Sequence, residues 1–353
     1  MKVLICTMAY NAEKTISRAI DSIRNQTFPH WEYFILDNGS TDRTWEILNE
    51  YARRDRRVMP MRIEKNDPAH GGLFLRALPL VSDAGYFVWL DADDAYSPDF
   101  LEKMVSFAEE NRLDIAACGH DRMDGLSGRL LKRRVSPENL VLHGAEFEKR
   151  FVDYRAFLTT VWGKLYSVPF FKKALGAEMA PHRAVFVMYG DSIFVQELFQ
   201  KAERAGVYGE AMYQYYQYPR SLSRDNLQDR VTGSRQYFQS TREYLEHYGP
   251  ISQRNEDFLY AIYLSLADET AEYVFESSQP AGEKLELLRS TFAEPFWAET
   301  LARKAAPEFR NLAARQEYVT RMKERIRALA STPQERALAE EAVRELDKPI
   351  AVS

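Results

Sequence analysis

The sequence predicts an α/β protein built on a mostly parallel sheet and followed by a helical C-terminal region. Three observations lead there. Short apolar runs alternate with helix-period segments through the first third, carboxylates gather where two of those runs end, and beyond about residue 225 the pattern turns to long helical stretches.

Val3-Leu4-Ile5-Cys6 gives the first strand, and a helical segment runs from Ala12 to Gln26. Tyr33-Phe34-Ile35-Leu36 and Thr41 to Arg54 repeat the strand and the helix. Val58-Met59-Pro60-Met61 reads as an edge strand, because Pro60 has no N–H to give a central ladder. Tyr86-Phe87-Val88-Trp89-Leu90 is the most apolar strand. Ser97 as N-cap, with Pro98 at the first helical position, opens a helix whose face is Leu101, Met104, Val105 and Ala108. Ile115-Ala116-Ala117-Cys118 closes the regular region. From about 120 to 185, glycines and Pro137 break the pattern, so loops carrying specificity are expected there. In the last third, Leu312, Val319, Met322, Ile326 and Leu329 form a short a/d seam, read first as intrachain packing and second as a dimer contact. Thr332-Pro333-Gln334-Glu335 is a capping box that opens the final helix.

At 353 residues the chain has room for two domains, each with a core of its own. Its 45% hydrophobic and 28% charged content is that of a folded globular protein. With 47 basic against 52 acidic residues, it lacks the cationic excess that drives binding to a nucleic acid polymer. Cys6 and Cys118 both lie in apolar runs, which suits buried thiols in a reducing cytosol. No segment approaches the length of an apolar membrane span, and no signal-peptide core follows Met1. A cytoplasmic protein is expected, with peripheral contact at the inner face of the membrane left open. The six histidines lack the spacing of a zinc site, and there is no local Ser-His-Asp signature.

Three acidic places carry chemistry. Asp37-Asn38-Gly39-Ser40-Thr41-Asp42 follows the second strand, where open α/β sheets bind ligands, although the same residues also make an ordinary turn. Asp91-Ala92-Asp93-Asp94 follows the most apolar strand. Carboxylates so close repel unless a cation sits among them, and oxygen ligands suit Mg²⁺ or Mn²⁺ shared with a phosphate. Alternation lets Asp91 and Asp93 share one ligand while Asp94 turns towards the next helix. Asp191, after Gly190, begins a helix with Phe194, Val195, Leu198 and Phe199 on its core face, a position that on spacing alone suits a first-turn acid better than a catalytic one.

These motifs together resemble family 2 glycosyltransferases. The residues that carry the resemblance are Val3-Leu4-Ile5 to Tyr10-Asn11-Ala12-Glu13, Ala19 to Ile23 with Gln26-Thr27-Phe28, the Asp37 to Asp42 run, and Gly85 to Asp94. It continues through Val161-Trp162-Gly163-Lys164-Leu165-Tyr166, Gly190-Asp191, Tyr215-Tyr216 and Arg220-Ser221-Leu222-Ser223, and so covers about residues 1 to 225. It implies the GT-A fold, a Rossmann-like mixed sheet flanked by helices, in a catalytic domain over 1–225. That domain would comprise a nucleotide-sugar-binding half (1–118) and an acceptor half (119–225), with a helical domain over 226–353.

By the same resemblance, Asp37 and Asn38 hold the base and ribose of a nucleotide sugar, with Ala9 and Tyr10 beside them. Asp91, Ala92 and Asp93 form the Asp-x-Asp motif, in which Asp93, supported by Asp91, binds Mn²⁺ or Mg²⁺ on the diphosphate. Arg76 supplies a cation near that group, and Arg220 and Ser223 lie in a loop that closes over it. Trp162 and Lys164 line the acceptor or donor sugar, with plain packing as the other reading of Trp162. Asp191 is the general base, and the expected reaction is a single in-line displacement with inversion, from a UDP-sugar to a glycan or glycoconjugate hydroxyl. Three departures stand out: Asn38 where the family has Asp, Ala77 where Asn is commoner, and Gly190 where Glu is common. Two further readings remain at this level, a nucleotidyltransferase that makes nucleotide sugars and a non-catalytic binding relic. Oligomerisation through the C-terminal helices is the expectation for the last third.

Overall fold

The computed structural model describes residues 1–67, 79, 82–175, 189–218, 227–303 and 308–347. Contacts divide the chain into two units, Met1–Phe186 with Phe194–Pro219, and Val187–Ile193 with Arg220–Ser353.

The first unit is built on a mixed sheet. Its strands are β1 (Val3–Ala9), β2 (Trp31–Asn38), β3 (Val58–Ile63), β4 (Tyr86–Trp89), β5 (Ala95–Tyr96), β6 (Ile115–Asp124), β7 (Leu130–Arg134), β8 (Leu140–His143), β9 (Lys164–Ser167) and β10 (Arg204–Gln217). The order runs β3-β2-β1-β4-β9-β6-β10-β5, with β7 added to β6 and β8 to β10. Strands β1 to β4 and the β6–β10 pair are parallel, while β9 runs antiparallel between β4 and β6. Pro60 does sit in the edge strand β3, which pairs with β2.

The five longer helices here are α1 (Ile16–Arg24), α2 (Thr44–Arg54), α3 (Phe100–Asn111), α4 (Val168–Leu175) and α5 (Gly190–Lys201), the last of which begins in the other unit. Both faces of the sheet are buried, which explains why its strands read as continuous apolar runs. Alternate residues Val3, Ile5, Tyr86, Val88 and Leu90 join one core with Ile20 of α1 and Met104 of α3. On the other face, Phe87 packs against Trp89, Tyr166 and Phe171 with ring centroids 4.6–5.1 Å apart. Cys6 and Cys118 are buried free thiols.

Two expectations need correcting. Ser97 does not cap α3. The flanking residue is Asp99, and the Ser97 hydroxyl donates to the Met212 carbonyl at 3.3 Å. The stretch after residue 118 is also more regular than its glycines suggest, because β6 runs on to Asp124 and pairs with β10 throughout.

The second unit is helical: α6 (Leu227–Glu246), α7 (Gln253–Glu276), α8 (Ala281–Phe292), α9 (Pro295–Ala302), α10 (Arg315–Ala328) and α11 (Pro333–Asp347), besides the short turn Arg310–Ala313. Its seam residues Leu312, Val319, Met322 and Ile326 are buried within the chain, as intrachain packing requires. Trp297 is fully buried and donates its indole N–H to the Leu346 carbonyl at 3.0 Å. No helix among the described residues is long and apolar enough to cross a membrane.

The capping box forms in both directions. Glu335 N–H donates to the Thr332 hydroxyl at 3.2 Å, and Thr332 N–H donates to the Glu335 carboxylate at 2.9 Å. Thr332→Ala should therefore lower the stability of the helical unit by about 1 kcal/mol in a urea titration. An unchanged midpoint would show that the cap contributes nothing.

Candidate functional site

Strand order places the site. The crossovers from β1 through β2 to β3 go one way, whereas β4 lies on the other side of β1, so the switch point falls between β1 and β4. Loops leaving the carboxyl ends of these strands bound the crevice where such sheets take ligands.

The β1 exit loop is tied to the β2 exit loop by a set of hydrogen bonds. Asn11, at φ 49°, accepts from Thr41 N–H at 2.9 Å, and its own N–H donates to the Ser40 hydroxyl at 2.9 Å. Ala12 N–H donates to Thr44 and Glu13 N–H to Asp42. Ala9 is buried at the end of β1, while Tyr10 is 46% exposed on this braced loop.

Asp37 is fully buried. One carboxylate oxygen accepts from Ser40 N–H at 3.0 Å, and the other lies 3.4 Å from Arg62 Nε without a hydrogen bond of its own. Asn38 is occupied at both ends of its amide: it donates to Asn66 Oδ1 at 3.0 Å and accepts from Asp67 N–H at 3.1 Å. The Asp37 to Asp42 run therefore braces two loops as well as facing the crevice end of the sheet.

The acidic turn leaves β4 where Leu90 N–H donates to the Cys6 carbonyl, extending the ladder by one step. Asp91 is exposed, Ala92 and Asp93 are half-buried, and Asp94 is fully buried. Asp94 turns to β10 rather than to the next helix. Its carboxylate accepts from the Tyr213 hydroxyl at 2.7 Å and from Tyr216 N–H at 2.8 Å. The Tyr213 oxygen in turn accepts from Asp91 N–H at 3.3 Å. Burial, followed by the charges of Asp91 and Asp93, pushes the Asp94 carboxyl well above the usual range, and burial raises Asp93 as well.

Arg18 of α1 is a member of the site that the sequence did not signal. Its guanidinium donates to the Asp93 carbonyl and, at 3.0 Å, to the Tyr218 hydroxyl, and it lies 3.6 Å from the Tyr216 ring centroid. One helical residue in a conventional amphipathic pattern gives no hint of such a role. Tyr213 was equally hidden, as one of several tyrosines in a strand.

Trp162 is buried and stacks on Tyr213, with centroids 4.2 Å apart and planes at 7°, and more loosely on Tyr215. Lys164 is 1% exposed, and its ammonium group donates to the carbonyls of Thr160 and Trp162. Both therefore have structural partners next to the acidic turn. Asp191 is exposed in the first turn of α5, in the stretch assigned to the second unit. Arg76, Arg220 and Ser223 lie outside the described residues.

Tyr213→Phe removes the hydroxyl that links Asp94 to Asp91, so it should cost about 1–3 kcal/mol in chemical denaturation. A smaller loss would remove the clamp. His120, packed edge-on against Trp162, is held down to about 4, first by burial and then by Arg134 and Lys164. Between pH 6.5 and 4 the unfolded chain binds the proton that the folded imidazole resists, so stability falls with falling pH in that window. His120→Gln should reduce that fall by about 1–2 kcal/mol, discounted for partial exposure, when unfolding is compared at the two ends of the window.

Residues 4–170 match the family model described as Glycosyl transferase family 2. Over 265 residues the chain is 29% identical to the uncharacterized glycosyltransferase EpsJ of Bacillus subtilis, covering 72% of this chain and 73% of that protein. It is 33% identical over 144 residues to the putative teichuronic acid biosynthesis glycosyltransferase TuaG of the same organism, covering 40% of this chain and 56% of that one. It is also 27% identical over 218 residues to the poly(ribitol-phosphate) beta-glucosyltransferase of Bacillus spizizenii, covering 61% of this chain and 32% of that one. Among solved structures, S. aureus TarS 1–349 superposes with a TM-score of 0.50 at 14% identity, covering 98% of this chain and 89% of that one. The same S. aureus protein has been solved with UDP and with UDP-GlcNAc. The sheet order, the ordered motifs and these matches agree: residues 4–170 match the Glycosyl transferase family 2 model, on a fold like that of TarS.

Proposed function

We propose that the protein transfers a sugar from a nucleoside diphosphate sugar, a UDP-sugar, to a hydroxyl of a glycan or glycoconjugate, with inversion and with a divalent cation. The observation that carries this reading is the turn after β4. Asp91 and Asp93 stand at the switch point of the sheet, while Asp94 is withdrawn into hydrogen bonds with β10. The TarS fold holding UDP and UDP-GlcNAc supports the donor class.

The donor set fits Mn²⁺ or Mg²⁺. Such an ion would be held by one or two carboxylates and otherwise by substrate phosphates and water. Asp93 is the ligand and Asp91 its support; Asp94 is already engaged. When bound, the ion stabilises the charge that develops on the departing diphosphate.

Around that site, Arg18 fixes the backbone at Asp93, and the joined β1 and β2 exit loops offer Tyr10 and the Asp37 turn to the nucleoside. Arg76, Arg220 and Ser223 add the diphosphate contacts in this reading. Asp191 takes the proton from the acceptor hydroxyl as its oxygen bonds to the anomeric carbon. The bond from that carbon to the phosphate oxygen breaks on the opposite side, and its electron pair leaves with the nucleoside diphosphate. One displacement inverts the centre, so an α-linked donor yields a β-linked product.

Two variants separate binding from chemistry. Asp93→Ala should abolish the Mn²⁺-dependent part of UDP binding in calorimetry. Asp191→Asn should keep that binding while transfer falls by about 10²- to 10⁴-fold. Transfer by Asp191→Asn at the native rate would remove the base assignment, and UDP binding by Asp93→Ala that still responds to Mn²⁺ would remove the metal site.

A further inference from the structure

Beyond the crevice, the β6–β7 hairpin gathers most of the exposed large apolar side chains among the described residues. Seven large apolar side chains are exposed among the described residues, and four of them fall within this one segment: Leu126 at 79%, Leu130 at 47%, and Leu131 and Val135 at 42% each. Three successive cations, Lys132, Arg133 and Arg134, alternate with or follow them, and Arg129 precedes them. From residue 120 to 135 there are five Arg or Lys against two Asp, in a chain whose net charge is -5.

The local structure keeps this surface outward. Asp124 accepts from the N–H groups of Leu126 and Ser127, and Gly128 at φ 69° closes the turn, so the hairpin tip is ordered with Leu126 at its end. Register shifts between Met123↔Leu130 and Arg122↔Lys132, leaving Leu131 as an extra residue in β7. Such a bulge, together with Lys and Arg along the strand, discourages pairing with another strand edge, which argues against a second copy or an extended peptide. Arg133 alone in this strand is held by a bidentate pair with Asp121, at 2.7 Å for both bonds. Arg134 is pushed down by burial and then by the positive charges of Arg155 and Arg122.

We infer that the β6–β7 hairpin docks the protein on an anionic lipid surface, with Leu126, Leu130 and Leu131 entering the headgroup boundary and Arg129 and Lys132 facing the lipid phosphates. Exposed leucines beside cations fit a bilayer, which offers both an apolar layer and negative charge; a soluble polyanion offers only the charge. The opposite charges of hairpin and membrane specify the partner, and the acidity of the rest of the chain orients it. β10 links this hairpin to the acidic turn: Tyr216, whose N–H holds Asp94, pairs with Met123, and Gln217 pairs with Asp124. Docking at the tip therefore sets the orientation of the crevice to the membrane.

The test is flotation of the full chain with vesicles of phosphatidylcholine alone and of phosphatidylcholine with phosphatidylglycerol in equal parts. The native protein should float with the anionic vesicles, fail with the neutral ones, and release as salt rises. Leu126→Ser/Leu131→Ser and Arg129→Glu/Lys132→Glu should each weaken binding by about tenfold or more, with unchanged thermal melting, since all four side chains are on the surface. Equal flotation of the native protein and either double variant overturns the proposal. Retention on soluble polyphosphate without flotation also overturns it, and so does a concentration-dependent dimer that the leucine variant abolishes in the absence of vesicle binding.

Discussion

The burial of one carboxylate governs the arrangement of the crevice. Asp94 lies beside two other acids, is fully enclosed, and is held by a tyrosine hydroxyl and a backbone N–H of the same strand. Desolvating such a group is costly, and only complete hydrogen bonding makes it tolerable. The consequence is geometric: the turn cannot leave β10 without stranding Asp94, so Asp91 and Asp93 are carried to a fixed place at the end of β4. The clamp needs β10 to reach Tyr216, and β10 does run from Arg204 to Gln217, pairing with β6 through two register shifts.

Aromatic packing stiffens this clamp from behind. Tyr213 is sandwiched by Trp162 at 4.2 Å and meets Tyr96 edge-on at 5.0 Å, and Tyr96 itself stacks on Phe100 of α3 and donates to the Trp89 carbonyl. The strand that carries the acids, the helix after it and the strand that receives Asp94 thus share one set of rings. Stacked pairs of this kind add about 0.5–1.5 kcal/mol each beyond the area they bury. Trp162 and Lys164 fit this picture as supports. Lys164 is a buried cation satisfied by loop carbonyls, and its charge helps keep His120 neutral.

Much of the fold was legible because its signals are local. Apolar runs buried on both faces gave β1, β2, β4 and the start of β6, Pro60 marked an edge, and Thr332 with Glu335 announced a helix start that the hydrogen bonds reproduce. What the sequence hid depends on contacts between residues far apart in the chain. Strand alternation turns Asp94 towards the following helix, yet its partners are more than a hundred residues away in the chain. Arg18 gave no signal for the same reason. The strands β7 and β8 were masked by glycines and charges that suit exposed antiparallel edges as well as loops, and β9, inside the sheet, by its four-residue length.

The central claim is that Asp93, supported by Asp91, holds a cation on a nucleoside diphosphate while Asp94 stays on β10. A crystal grown with UDP and Mn²⁺, with the metal located by its anomalous scattering, tests this most directly. The account predicts a manganese peak bound by the Asp93 carboxylate and by oxygens of both phosphates, with Asp94 still accepting from Tyr213 and Tyr216. UDP bound in the crevice with no manganese peak, or a peak coordinated by Asp94 in place of Asp93, would contradict it.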